Sequence, residues 1–365
     1  MKKDTTLTLA DVRKEIDSID TQVLTLLKQR LGCAKKIGEL KAQDNNRAKW
    51  DPLRERQIVE RLLAENQGTF PELPLRSIFH EIINTCRISQ KKEKVAYLGP
   101  EGTYSHLAVI KHFGHAADFV PVETIEDVFT EVERGRVQYG MVPVENSIEG
   151  AVTPALDAII TFSEHRVMIC GELNLVITHN LVNQSGEMED IQEVVSHAQP
   201  LAQCRKWLKK NLPNAHTRVV ESTGAAALLA AEDPSIAAIA SSLAIKTYRL
   251  RSVASGIEDY SNNITRFLII GKESPHRSGR DKTSLLVGLL DRPGALHDAL
   301  NLLAQREINL TRIESRPVKD KPGRYLFFID MLGHMEDETV RDGYDRLKEI
   351  CSPCEWLGSY PITGA

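Results

Sequence analysis

Arg30, Lys41, Arg54, Glu55 and Gln90 are the first residues of this chain whose types and spacing point to chemistry. Arg30 falls on an otherwise apolar helical stripe, and a cation buried there needs an anion. Three readings stand: an internal salt bridge, a side chain that snorkels at the core's edge, or an anionic ligand. Lys41 follows three turns later, roughly 16 Å along the axis and close to the same face. Arg13 precedes Arg30 by about 26 Å of helix, too far for one small ligand to touch both, so a site using both is built from two chains. Arg54 and Glu55 lie in the first turn of a second helix beside Asp51, and Gln90 is in phase with Phe79, Ile83 and Cys86 on a third. Arginines and a lysine with one Glu and one Gln, inside helices, favour a small polycarboxylate. They suit a reaction that needs placed charge more than a nucleophile. Nothing in this set resembles a metal site.

A second group of polar clusters lies further on, in GPEGTYS, VPVENSIEG and NNITRF, each at a strand end where open α/β sheets place ligands. GxGxxG and the Walker lysine are absent, so dinucleotide and ATP binding are excluded and no cofactor is expected. Two readings of GPEGTYS remain: a turn whose amides, with Thr103 and Ser105, receive an anion, or a plain glycine turn with a helix cap. Cys351-x-x-Cys354 has the spacing of a redox pair or half of a zinc site, but with no second ligand pair nearby the favoured reading is coincidence.

These residues need elements to hold them. Leu9, Val12, Ile16, Ile19, Val23, Leu26, Arg30, Cys33, Ile37 and Leu40 step by threes and fours, which predicts one long amphipathic helix. Asp51-Pro52 opens a second helix to about Leu63, and a third runs from near Leu73 to Gln90. From KEKVAYLGPEG the period changes to alternating strands and helices, read as two α/β lobes with the chain returning to the first at TRFLIIGK. Residues 272–282 read as a linker, and the remainder as βαββαβ, an antiparallel sheet with two helices on one face. The chain is therefore multidomain: helices over 1–92, a two-lobed α/β region over 94–271 and an α+β, ferredoxin-like region over 283–365.

Its 365 residues suffice for separate cores, and 42% hydrophobic with 26% charged residues describes a soluble protein. A net charge of -4 argues against wrapping nucleic acid, and no run approaches a membrane span. Six scattered cysteines and a polar start without an export signal place the chain in the cytoplasm.

VRKEIDSIDTQVLTLLKQR, Lys41, DPLRER and IFHEIINTCRISQ together resemble the all-helical chorismate mutase domain of bifunctional chorismate mutase/prephenate dehydratase proteins. The resemblance implies a dimer, or a higher homo-oligomer, formed by exchanging the long first helix. It implies that Arg13 of one chain and Arg30 of the other clamp the carboxylates of chorismate, and that Lys41 and Gln90 donate to its ether oxygen. Arg54 supports a carboxylate, Glu55 and Asp51 meet the ring hydroxyl, and Cys86 lines the site. Glutamine at 90 needs no proton to donate, so no acid requirement is expected.

VAYLGPEGTYSH, VPVENSIEG, SHAQPLAQC, ESTGAAA and NNITRFLII are similar to the signature blocks of prephenate dehydratase, whose members fold as two lobes like periplasmic binding proteins. The resemblance implies catalysis by Thr265 and loss of CO₂ and the ring hydroxyl from prephenate. Thr103, Ser105, Glu145, Asn146, Ser147, His197, Thr223, Arg266 and Phe267 are then the expected substrate-binding set. Glu145 is an alternative proton source, Arg266 pairs with a substrate carboxylate or anchors its loop, and His197 is as readily structural. The closing βαββαβ unit resembles an ACT domain, which implies L-phenylalanine as effector at Gly294, Ala295, Leu296, Glu314, Ser315, Arg316 and Pro317. The competing reading is a non-catalytic metabolite sensor, disfavoured because a dimerisation helix needs no such charge cluster. Fusion to prephenate dehydrogenase chemistry would need a nucleotide loop.

Overall fold

The structure, a computed structural model, describes residues 8–43, 51–90, 93–289, 291–318 and 325–362. The first seven residues, read above for an export signal, lie outside the described residues. The chain divides into two compact units, Met1–Lys92 with Gly114–Ala117, and Glu93–Phe113 with Asp118–Ala365.

The helical unit holds α1 (Leu9–Gln43), α2 (Pro52–Asn66) and α3 (Glu72–Ile88), close to the three helices expected. A reciprocal pair starts α1: the Thr8 hydroxyl accepts from Asp11 N, and the Asp11 carboxylate accepts from Thr8 N. Asp51 caps α2 by accepting from Arg54 N at 2.9 Å, and Pro52 takes the first turn, where no N–H is missed. The stripe of α1 does not become core along its whole length. Leu9 and Leu26 are 68% and 62% exposed, Ile16 and Ile19 about as open, and Ala34 alone of the described α1 side chains is buried. That much apolar surface along one helix has no partner among the described residues.

The second unit opens with a lobe of β1 (Lys94–Leu98), α4 (Tyr104–Phe113), β2 (Asp118–Val122), α5 (Ile125–Glu133), β3 (Tyr139–Asn146), β4 (Gly150–Ala151), α6 (Thr153–Phe162) and β5 (Met168–Val176). A second lobe follows with β6 (Asn180–Asn183), β7 (Glu193–Ser196), α7 (Ala198–Gln203), α8 (Arg205–Asn211), β8 (His216–Val219), α9 (Thr223–Glu232), β9 (Ile236–Ala240), α10 (Ser242–Thr247) and β10 (Arg251–Ser255). The chain then returns as β11 (Ile264–Gly271) between β3 and β5, so the first sheet runs β2-β1-β3-β11-β5 and the second β10-β6-β9-β7-β8. The expected return at TRFLIIGK is this strand.

The remainder is β12 (Asp281–Gly288), α11 (Ala295–Ala304), β13 (Leu310–Pro317), β14 (Tyr325–Leu332), α12 (Glu338–Ile350) and β15 (Cys354–Pro361), an antiparallel sheet in the order β13-β14-β12-β15. Strand β12 begins at Asp281, so the expected linker is shorter than 272–282 at its end. One face of the sheet, with Leu285, Val287, Ile329 and Met331, packs under α11 and α12. The other face, with Leu286, Phe328 and Leu357, joins the first lobe's core of Ile159, Phe162, Ile169 and Leu268. Gly358 makes this docking possible: at φ 148, a Cβ there would stand 2.1 Å from the Ile169 carbonyl oxygen. No helix among the described residues is long and apolar enough to cross a membrane.

Candidate active sites

A cavity of about 420 Å³ opens among the three helices. Arg30, Lys41, Asp51, Arg54, Glu55, Cys86 and Gln90 line it, with Ile37, Ile58 and Ile83 supplying apolar wall. Helical spacing explains the convergence: each helix offers one face, and the caps and turns fix where it starts. The Arg30 guanidinium donates to the Ile82 carbonyl at 3.3 Å and meets no carboxylate among the described residues, so the internal salt bridge is not formed. Arg13 is exposed and does not line this cavity. Two cations absent from the expected set do, Arg61 and Arg87; Arg87 is buried and its Nη1 lies 3.6 Å from Glu55 Oε1. Their signal was present in the sequence: Arg54, Ile58, Arg61 and Ile83, Arg87, Gln90 both step by four and three. Gly38 of α1 faces Gln90 so closely that a Cβ there would lie 2.9 Å from the Gln90 Cβ.

The second site is a cleft of about 840 Å³ in the α/β unit. Of the expected set, Thr103, Ser105, Asn146, His197, Thr223, Thr265 and Phe267 line it, and Glu145, Ser147 and Arg266 do not. Strand alternation gives the reason. Thr265 is paired with Asn146 and Arg266 with Glu145 across β11 and β3, so the first pair faces the cleft and the second faces the opposite side. There Glu145 accepts the Arg312 Nε ion pair at 2.9 Å, which removes it as a proton source for the cleft. Arg266 donates to Glu172 at 2.9 Å, to Asp330 at 2.7 Å and to the Tyr360 hydroxyl at 3.0 Å, so its anchoring role is the one realised. Burial alone would lower the Arg266 pKa, but Tyr360, Asp330 and Glu172 outweigh it and hold it above its ordinary value. The Ser147 hydroxyl donates to the Asn262 carbonyl at 3.3 Å and accepts from Ile264 N at 2.9 Å.

Behind Thr265 lies a chain of buried polar groups. The Asn146 carbonyl oxygen accepts from the amides of Ile148 and Glu149, which fixes the flip of its side chain. Its Nδ2 therefore donates, to Thr265 Oγ1 at 2.9 Å and to Asn263 Oδ1 at 2.7 Å. Asn263 Nδ2 donates to Gln203 Oε1 at 2.9 Å, and His179 Nε2 donates to the same oxygen at 2.8 Å. Burial keeps the His179 pKa below its ordinary value, and its Nδ1 lies 2.8 Å from the Tyr104 hydroxyl oxygen, which donates to the Thr178 carbonyl at 2.9 Å. Tyr104, His179, Gln203 and Asn263 were missed because isolated polar residues carry no periodic signal.

The helix starts at the cleft are tightly determined. His197 Nδ1 accepts from Gln199 N at the head of α7, and Ser222 accepts from Ala225 N at the head of α9. Gly224 allows α9 to meet the GPEG turn, since a Cβ there would lie 2.4 Å from the Glu101 carbonyl. Two amides of that turn serve it structurally: Gly99 N donates to Val122 O, and Gly102 N donates to His106 Nδ1. Thr103 Oγ1 donates to Pro100 O at 2.9 Å, a local bond that holds the turn. No Lys or Arg lines the cleft among the described residues. Among the described residues no cluster could hold a metal ion. Cys351 and Cys354 are buried, which pushes their thiols up to about 11 and about 12 and disfavours the thiolate.

In the third region Gly294 caps α11 at φ +81, with Ala295 and Leu296 following and Leu296 partly open. Along β13, burial alternates residue by residue. Arg312, Glu314 and Arg316 pair with Asp330, Phe328 and Leu326 and share their side of the sheet, toward the first lobe, where Arg316 grips Asp157 at 2.8 Å. Ile313 and Ser315 pair with Ile329 and Phe327, on the helix-covered side, where Ile313 lies open at the sheet edge.

Fold and sites together define a multidomain metabolic enzyme: a cation-lined helical cavity, a two-lobed cleft with a hydroxyl at a strand end, and a docked βαββαβ sheet. Three family models match: Chorismate mutase type II over residues 12–91, Prephenate dehydratase over 95–275 and ACT domain over 283–342. A bifunctional chorismate mutase/prephenate dehydratase of Aquifex aeolicus is 46% identical over 97% of this chain and 98% of its own length. The chain belongs to the bifunctional chorismate mutase/prephenate dehydratase family. Among solved structures, an Arthrobacter aurescens prephenate dehydratase in complex with L-Phe is 37% identical with a TM-score of 0.68, covering 74% of this chain and 90% of that one. A protein described as GqqA, a novel type of quorum quenching acylase, is 28% identical with a TM-score of 0.67, covering 74% and 98%.

Proposed function

We propose that this chain rearranges chorismate to prephenate in the helical cavity, converts prephenate to phenylpyruvate in the α/β cleft, and is inhibited by L-phenylalanine at the βαββαβ sheet. The observation that carries the reading is the joint presence of Arg30, Lys41, Arg54 and Gln90 on one cavity and Thr265 on another. The first step breaks the ether C–O bond as a C–C bond forms within one molecule, so the protein holds the compact conformer and stabilises growing charge on the ether oxygen. Lys41 and Gln90 supply those donors, while Arg30 and Arg54 hold carboxylates. An acceleration of about 10⁶-fold asks about 8 kcal/mol of them. Arg13 of a second chain completes the site, and the exposed apolar stripe of α1 is the surface that a second α1 covers.

In the second step the C–CO₂ electrons move into the ring, the ring hydroxyl leaves as water, and aromatisation drives both. Thr265 Oγ1 receives the Asn146 N–H, so its own proton is free for the departing oxygen. With no Lys or Arg among the described residues that line the cleft, the substrate carboxylates are received by hydroxyls and by the starts of α4 and α9. An acyl-transfer role for Thr265 lacks support, because the side-chain hydrogen bond found at its oxygen comes from an amide donor. The test is to incubate the purified chain with chorismate and follow prephenate and phenylpyruvate, with and without L-phenylalanine. Both products should appear in turn and the effector should suppress the second; chorismate consumed only at its uncatalysed rate removes the first activity.

A further inference from the structure

Strands β3 and β11 carry Asn146 and Thr265 on their cleft face and Glu145 and Arg266 on the other. The ACT-type sheet grips that other face at two points. Arg266 is held by Asp330 of β14 and Tyr360 of β15, and Glu145 by Arg312 of β13. The two grips differ in kind. Arg266 satisfies three partners at once and is closed to change, with Ser284 and Lys282 completing the buried set around Asp330 and Glu172.

Arg312 is differently placed. Its Nε meets Glu145 at 2.9 Å, while its Nη2 lies 3.6 Å from Glu314 Oε2, beyond hydrogen-bond range. That Nη2 is buried and has no hydrogen-bond partner among the described residues. A buried donor left unmade favours any movement that satisfies it. Glu314 opens the Glu314–Pro317 segment, whose alternate residues face the two sides of the sheet. A small shift of β13 therefore brings Glu314 into bonding range of Arg312 and draws the guanidinium off Glu145.

We infer that Arg312 is the switch residue between effector and active site: its guanidinium is shared between Glu145, one residue from Asn146, and Glu314, and effector binding moves it toward Glu314. Asn146 positions Thr265, so loosening Glu145 reaches the reacting hydroxyl through one strand residue. This rests on the reading above, that L-phenylalanine inhibits through this sheet. Arg312 acts through others and is a positioning residue; coupling requires that its two arrangements differ in affinity for the effector.

The experiment uses the full chain, comparing wild type, Arg312→Met and Glu145→Ala. Prephenate turnover is measured across L-phenylalanine concentrations, with effector binding by calorimetry. Expected is effector binding retained, at wild-type affinity or tighter, with inhibition weakened about tenfold or more in both variants, and partial recovery in the exchanged pair Arg312→Glu with Glu145→Arg. Inhibition at wild-type strength in a folded Glu145→Ala variant overturns the switch, as does loss of effector binding along with inhibition in Arg312→Met. A wild-type chain that L-phenylalanine leaves uninhibited overturns the regulatory reading itself, which is a separable result.

Discussion

The Asn146 amide donates to the Thr265 hydroxyl oxygen at 2.9 Å, and the direction of that bond sets what Thr265 can do. With its oxygen accepting, Thr265 keeps a proton to give. Asn146→Asp turns the bond around, since a carboxylate only accepts and would claim the threonine proton. Dehydratase kcat should fall by about 10²-fold in both Asn146→Asp and Asn146→Ala, with KM changed far less. A nearly normal rate for the Asp variant would show that the bond direction is immaterial.

Gly38 leaves room for Gln90 and for nothing else. Gly38→Ala should displace the Gln90 side chain and cost mutase turnover about 10²-fold, because a shift of roughly 1 Å at a donor is expensive. Dehydratase kinetics in the same preparation should match wild type, which separates the local effect from misfolding.

Arg266 is buried against Glu172 and Asp330, and removing it leaves carboxylates facing each other without their main cation. Arg266→Met should lower the unfolding free energy of the α/β unit by about 3 kcal/mol, read from urea midpoints. A change within experimental scatter would mean that Lys282 and Ser284 alone satisfy the cluster.

Burial lowers the pKa values of His179 and His106 from 6.5. Below that value the unfolded chain takes protons that the folded one refuses, so this stability is complete above pH 6.5 and is lost as pH falls through it toward the lowered folded values. Urea midpoints should drop between pH 7.5 and 5.5, and His179→Asn should flatten that drop while lowering stability at neutral pH. An unchanged slope would indicate that His179 titrates normally.

Much of this was readable before any coordinates. The three-and-four stepping of α1, the strand and helix alternation and the closing βαββαβ pattern are local properties, written in neighbouring residues. The cation cluster was readable because helices repeat their faces. What escaped is non-local or polar. Strands β6 and β10, NLVN and RSVAS, are short and polar enough to pass for loops. Arg266 finds Asp330 and Tyr360 far along the chain, and no spacing rule connects them. The GPEG turn reads equally as an anion nest or a plain turn because the two share a composition, and the partners of Gly99 and Gly102 needed the fold to be seen. Glu145 and Asn146 are sequence neighbours with opposite duties, a distinction that needs the register of β3 against β11.

The central claim is that two sites of different construction serve successive steps in one chain. Arg30→Ala and Thr265→Ala, each supplied separately with chorismate and with prephenate, test it most directly. The account predicts that Arg30→Ala fails on chorismate yet consumes prephenate normally, and that Thr265→Ala makes prephenate from chorismate and stops there, about 10²-fold or more slowed in the second step. Loss of both activities in either variant, correctly folded by circular dichroism, would contradict it.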